Sequence, residues 1–401
     1  MRISSNTIYE TGTNLMLQQQ EALVKTQQQI STGMRILTPS DDPISAAQVL
    51  NISQTASLNK QYSVNRASAD SALVLEENVL NEVSSLLTAM KVSAVNAGTA
   101  LTDADRKILA TEFRSRLDSL VGLANTTDEK GQFLFSGYQA GTKPFVQTGL
   151  DVQYMGDQGQ RLNQVGPSRQ LAVSDSGTDI FERIKNGNGV FTTAANSLNS
   201  GTGVIDLGAV IAPTSLTGDN YEITFAVASG VTTYDIVNTT TGAPVSSANV
   251  YVNNNTITFD GMQLNITGEP VSGDKFTVSP SGNQSIFKTV SDLIIALEKP
   301  SSGQPGGTRF TNSLNTALKS LDNSLENVST KQSSIGSRRN EIDSLENVGG
   351  AQDIQFEQLL THLQSVDYAK AISDLKQQEL YLQAAQQSYI KISGLTLFNF
   401  I

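Results

Sequence analysis

Large apolar residues recur at every seventh position near both ends of the chain: Tyr9, Met16, Leu23 and Ile30 at the start, Tyr368, Leu375, Leu382 and Tyr389 at the finish. Such a repeat lays one narrow apolar stripe along a helix, and two stripes of this kind wind around each other in a left-handed coiled coil. The first stripe predicts a helix from about Asn6 to Gly33, stopped by Gly33 with Pro39 beyond it. Ser40-Asp41-Asp42-Pro43 is a restart signal. Asp42 can cap free backbone N–H groups and Pro43 suits the first helical position. The Asp41/Asp42 pair therefore reads as a helix cap and domain hinge rather than a metal site, since no third carboxylate lies nearby in sequence.

A second helix follows to about Gly98, with Leu73, Leu80, Leu87 and Ala94 at sevens and Val83 and Met90 beside them. Thr102-Asp103-Ala104-Asp105 offers the next cap, before a helix whose stripe is Ile108, Leu109, Phe113, Leu117, Leu120 and Ala124. After Asn125 the texture changes to short β-like runs broken by Gly141, Gly149, Gly156, Gly159 and Gly166. From about Asn188 to Gly282 nearly everything alternates like half-buried strands. Two segments there, Leu216 to Tyr221 and Val271 to Phe276, share the order apolar, any, Gly, Asp, any, aromatic. A Gly-Asp turn entering a strand accounts for both.

Helix returns at Ser285 with Ile286, Val290, Leu293, Ile294 and Leu297 on one face. Pro300 to Gly307 reads as a flexible loop, and a long helix follows with Leu314, Leu321, Val328, Ile335 and Ile342 at an unbroken seven. Gly349-Gly350 is expected to end it, and the last helix is expected from about Gln352 to Ser393.

The layout predicts a mainly α fold with a β insert. The N- and C-terminal helices pair into an elongated coiled-coil rod, and an outward β-rich domain is inserted in mid-chain. Helices so far apart in sequence gain stability only by packing together, because an isolated amphipathic helix is marginal in water. The expected domains are 1–42 with 358–401, the terminal helices; 43–188 with 284–357, a helical rod domain with β-hairpins; and 189–283, the β-rich outer domain. Full apolar faces on the second and penultimate helices read as intramolecular core. The terminal seams are thinner and flanked by Gln, and Leu397, Phe398 and Phe400 crowd large apolar groups into the extreme end. Tyr9, Met16, Leu23, Ile30, Tyr368, Leu375, Leu382, Tyr389, Leu397, Phe398 and Phe400 are thus the candidate assembly residues.

Composition narrows the function. Charged residues make up only 16% of the 401 positions and the net charge is −11, with no Lys/Arg-rich run, which argues against nucleic-acid binding. There is no cysteine, so thiolate chemistry and disulfides are excluded. The start, Met1 to Asn6, is polar and lacks the apolar stretch of a secretory signal, and no run of eighteen apolar residues suggests membrane insertion. His362 is the single histidine, one residue from Thr361 on an amphipathic helix, and reads as structural. Gly303-Gln304-Pro305-Gly306-Gly307 lacks the lysine of a phosphate loop. No catalytic residue, metal site or cofactor is expected. Tyr221, Tyr234 and Tyr251 could furnish an aromatic surface for a glycan or host receptor, but alternating aromatics in strands are more often core.

The run Ile30-Ser31-Thr32-Gly33-Met34-Arg35-Ile36-Leu37-Thr38-Pro39-Ser40-Asp41-Asp42-Pro43, with Ile335 to Asn340 and the terminus Leu397-Phe398-Asn399-Phe400-Ile401, resembles the flagellin family, and within it the members that join hook to filament. Filament flagellins, the alternative, typically carry Asp-Asp-Ala where this chain has Asp41-Asp42-Pro43. The resemblance implies a secreted structural subunit of the bacterial flagellum, exported unfolded by the flagellar type III system. Its implied partners are the first hook-associated protein, flagellin, further copies of itself in a helical ring, and an export chaperone at the C-terminal helix. The terminal domain is implied to be disordered in the monomer.

Weakly charged, Gln-rich helices can order only when neighbours supply apolar surface. Limited proteolysis of the purified monomer is therefore expected to trim roughly residues 1 to 40 and 360 to 401 around a resistant middle. Equal resistance along the whole chain would contradict this.

Overall fold

The computed structural model describes residues 5–98, 102–299 and 304–393. The chain folds as two compact units, one of residues 1–65 and 344–401, the other of 66–343. It is mainly α-helical, with a β-rich region in the middle of the sequence.

In the first unit, α1 (Ser5–Thr32) packs antiparallel to α6 (Tyr368–Ser393). The first part of α2 (Pro43–Ala97) pairs with the last part of α5 (Gln304–Gln364). Asn59 is buried there and donates to Gly349 O at 2.8 Å and to Asp353 Oδ1 at 2.7 Å. These bonds lie on a helix that was expected to stop. α5 runs straight through Gly349-Gly350, and the break falls instead at Ser365 to Asp367, where Asp367 Oδ1 accepts from Ala369 N at 3.0 Å and Lys370 N at 3.1 Å. A glycine ends a helix by adopting positive φ, and neither glycine does so here. Inside a helix it only weakens the turn, by about 1 kcal/mol relative to alanine. The same holds at the start of α5, where Gln304-Pro305-Gly306-Gly307 belongs to the helix and not to a connector.

In the second unit the heptad seams are core. Leu73, Leu80, Val83, Leu87, Met90 and Ala94 of α2 are fully buried, as are Leu321, Val328 and Ile335 of α5. Across this pairing Arg339 bonds Asp70 at 2.9 Å and Glu77 at 2.8 Å, and Lys91 meets Asp322 at 2.5 Å. α3 (Asp103–Ala124) starts on a capping box between Thr102 and Asp105 and lies against α4 (Ile286–Glu298). Its buried line is Arg106, Ala110, Phe113, Leu117, Leu120 and Ala124, while Ile108 faces solvent. Arg106 takes the inward position because its guanidinium stacks 4.3 Å from the Phe310 ring.

Two antiparallel hairpins follow α3: β1 (Phe145–Thr148) with β2 (Asp151–Tyr154), and β3 (Leu162–Gly166) with β4 (Arg169–Ala172). A π-helical turn, Thr178–Glu182, sends Phe181 into a cluster with Phe135, Phe145 and Phe287. β5 (Ile184–Lys185) pairs with β15 (Asn283–Gln284), at the entrance and exit of the insert.

The insert is a sandwich. β6 (Phe191–Ala195), β9 (Tyr221–Ala228), β10 (Val231–Asn238), β11 (Pro244–Val250) and β14 (Lys275–Pro280) form an antiparallel sheet in the order β11-β10-β9-β14-β6. β7 (Val204–Ile205), β8 (Ala209–Val210), β12 (Thr256–Phe259) and β13 (Met262–Thr267) form the other. Their inward residues, including Tyr221, Ile223, Phe225, Ile257, Leu264, Ile266 and Phe276, close one core. The two Gly-Asp turns lead into β9 and β14, which are neighbours, with Gly218 and Gly273 at φ of +76° and +92°. Asp274 is buried and accepts from Ser200 N at 2.8 Å and Val271 N at 3.0 Å.

Because Gly350 sits within a continuous helix and an added Cβ there meets nothing within 4 Å, Gly350→Ala is expected to stabilise the protein by about 1 kcal/mol in chemical denaturation. A helix terminator would instead lose stability on the same change.

Candidate assembly surface

Tyr9, Met16, Leu23 and Ile30 lie on α1 and Leu375, Leu382 and Tyr389 on α6, all half-buried, whereas Tyr368 is exposed. The two seams close on each other within this chain. Tyr9 and Tyr389 meet edge to face with ring centroids 6.3 Å apart. Gly12 makes room for that contact, since a Cβ there would come within 2.9 Å of the Tyr389 ring. Leu397, Phe398 and Phe400 lie outside the described residues.

Pairing two thin stripes leaves much apolar surface uncovered. Leu15, Leu17 and Val24 of α1 and Ile372, Leu380, Tyr381 and Ile390 of α6 are exposed, Leu17 by 59%, Leu380 by 62% and Ile390 by 67%. The paired α2 and α5 segments of the same unit add Ile44, Leu50, Val64, Val348 and Ile354. An apolar residue alone on a surface is ordinary; here many lie exposed on one pair of helices. Sequence reasoning singled out the seam and passed over these outward residues. Leu17 and Val24 are themselves seven apart, a second and shorter line on α1; the outward residues of α6 follow no such repeat.

The connectors between the helix pairs are stitched to each other. Gly33 ends α1 at φ +70°, and its carbonyl accepts from Val366 N at 3.0 Å. Arg35 N donates to Gln364 O at 2.7 Å, and the Arg35 guanidinium reaches Leu363 O at 3.0 Å and Asp42 at 3.1 Å. Asp41 accepts from Leu37 N and Thr38 N, each at 2.9 Å, and pairs with Lys25 at 2.6 Å. The Lys25 ammonium and the Thr38 N–H hold the Asp41 carboxyl well below the usual carboxylate range. Asp42 Oδ1 accepts from Ser45 N at 3.1 Å, capping α2 with Pro43 as its first residue. The Ser45 hydroxyl and N–H, and then Arg35, bring the Asp42 carboxyl down to about 2. Both aspartates are occupied with backbone N–H groups and cations, which is structural chemistry.

Among the described residues no three His, Asp or Glu side chains converge to hold a metal ion, and no helix is long and apolar enough to cross a membrane. His362 is exposed near the end of α5. Tyr221 is fully buried, Tyr234 and Tyr251 pack against the sandwich core, and the Tyr251 hydroxyl donates to Gly268 O at 2.8 Å or Ile266 O at 3.0 Å. They offer no exposed aromatic platform.

A model of the bacterial flagellin N-terminal helical region matches residues 3–140. Flagellar hook-associated protein 3 of Escherichia coli (strain K12) is 26% identical over 401 residues, all of this chain and 99% of that protein. The crystal structure of flagellar hook associated protein-3 from Legionella pneumophila superposes with a TM-score of 0.75 and 32% identity, covering 79% of this chain and 98% of that one. FlgL of Xanthomonas campestris gives 0.72 and 27%, over 77% of this chain and 99% of its own.

Asp41 and Asp42 have folded-state pKa values below their unfolded ones, so their contribution to the connector is present above about pH 4 and lost as pH falls toward 2. Asp42→Ala is expected to speed hydrogen exchange of the Ser45 and Ala46 amides at pH 7. The wild type should approach the variant's rates, after correction for intrinsic exchange, only near pH 2. Identical protection at pH 7 would remove the cap from the connector.

Proposed function

Since the chain belongs to the flagellar hook-associated protein 3 family, the hook–filament junction proteins among the flagellin relatives, we propose that it is the adaptor that joins the hook, through the first hook-associated protein, to the flagellin filament. It is a structural component of the extracellular flagellum and not an enzyme. Export runs through the flagellar type III channel, with a chaperone on the C-terminal helix until release. Copies then assemble in a ring through their terminal helices.

The uncovered apolar surface of the α1–α6 pair carries the reading. The seams Tyr9, Met16, Leu23, Ile30 and Leu375, Leu382, Tyr389 hold the pair together, and Leu17, Val24, Leu380, Tyr381 and Ile390 face the neighbours that complete it. Ordering of the terminal helices finishes in the assembly, where burial of those residues at about 25 cal/mol per Å² offsets the entropy of fixing them. Residues 1–42 with 358–401 would make the inner domain, 43–188 with 284–357 the middle one, and 189–283 the outward one.

The likenesses to hook-associated proteins run along essentially their whole length, which favours the junction over a filament flagellin. Deleting the gene separates the two. A junction protein's loss is expected to leave hooks in place and release unpolymerised flagellin into the medium, whereas loss of the filament protein leaves none to release. Complementation with Leu380→Asp and Tyr381→Asp together is expected to fail at assembly although the protein is exported. Normal filaments in the deletion strain would overturn the proposal.

A further inference from the structure

Glu76 lies on α2 between Leu73 and Leu80 and is only 2% exposed. One carboxyl oxygen accepts from Asp175 N at 3.1 Å; the other is buried and meets no partner. The charged groups facing it come from two elements. Asp175, after β4, is also buried and is bound by the Arg338 guanidinium of α5 and by Gln160 Nε2 at 2.8 Å. Arg161, before β3, directs Nη1 to Gln132 Oε1 at 3.2 Å. On α2 itself, Asp70 and Glu77 turn to Arg339, and Arg66 donates to Val165 O.

The Arg338 guanidinium is thus taken by Asp175, and the hydrogen bond to Glu76 comes from a backbone N–H. A buried carboxylate with one N–H donor and a second carboxylate beside it is costly, and adding a proton relieves both penalties. We infer that Glu76 is carried as the neutral acid and acts as a proton-operated latch joining α2 to the β3–β4 hairpin segment and α5, firm in mildly acid surroundings and loosened as the surroundings turn alkaline. Burial, and then the Asp175 carboxylate, push the Glu76 carboxyl up to about 8. Its folded value lies above the unfolded value of 4.5, so the folded protein holds the extra proton between the two. The stability this provides is complete below about pH 4.5 and lost as pH rises through 8. Asp41 and Asp42 of the other unit titrate in the opposite sense and below this window.

The test compares urea unfolding of the full chain, wild type and Glu76→Gln, from pH 5 to pH 8. Glutamine keeps the shape of the neutral acid and cannot ionise. The wild-type unfolding equilibrium constant is expected to rise relative to the variant's by up to about tenfold per pH unit across that range. Infrared titration of the wild type alone covers the case in which the variant does not fold. A neutral carboxylic C=O band should persist at pH 6, where exposed carboxyls are ionised, and disappear near pH 8. Parallel pH profiles for the two proteins, or no neutral-acid band at pH 6, would overturn the latch.

Discussion

The antiparallel pairing of helices that lie far apart in sequence is the interaction on which the rest of this protein depends. Asn59 of α2 meets Asp353 of α5 across 294 positions, and Arg339 meets Asp70 across 269. No local contact can substitute, because a Gln- and Ser-rich helix with one apolar stripe is marginal alone. Until α5 is in place α2 has no partner for its seam, and the same is true of α1 and α6. Pairing α1 with α6 closes a far longer loop than any of the hairpins does.

What differs between the pairs is how much surface each one covers. In the second unit the seams of α2 and α5 are joined by α3, α4, the aromatic cluster around Phe181 and the hairpins, so Leu80, Leu87, Leu321 and Val328 vanish from solvent. In the first unit the stripes of α1 and α6 close on each other. Tyr9 and Tyr389 touch, yet both remain half-buried, and Leu380 and Ile390 stay largely in water. The same repeat thus specifies a finished core in one place and an unfinished one in the other.

Polar side chains of α5 bond the backbone at the entrance of the insert and at the π-helical turn. Asn312 accepts from Ile205 N at 3.1 Å and donates to Gly203 O at 3.1 Å, Asn323 donates to Lys185 O at 2.8 Å, and Asn327 to Ile180 O at 2.8 Å. Each replaces a water that a backbone group would otherwise lose on burial, which fixes register as well as energy. This row of amides binds the entrance of the insert and the π-helical turn to a single helix.

The amino-acid sequence by itself determined the elements, their order and most of the buried line, because a seven-residue repeat and an alternating strand are periodic signals that each residue reinforces. It also determined the caps at Asp42 and Thr102, where the chemistry is local. Tertiary structure decided what local signals cannot encode. Gly349-Gly350 stayed helical because the paired α2 segment and the buried Asn59 amide hold that turn, and Ile108 turned outward because Arg106 found Phe310. Which large residues remain uncovered on α1 and α6, and that Glu76 lies beside Asp175, depend on which distant segments come to rest against them. The physical reason is that burial belongs to the pair of surfaces in contact, and one strand of sequence carries only half of each pair.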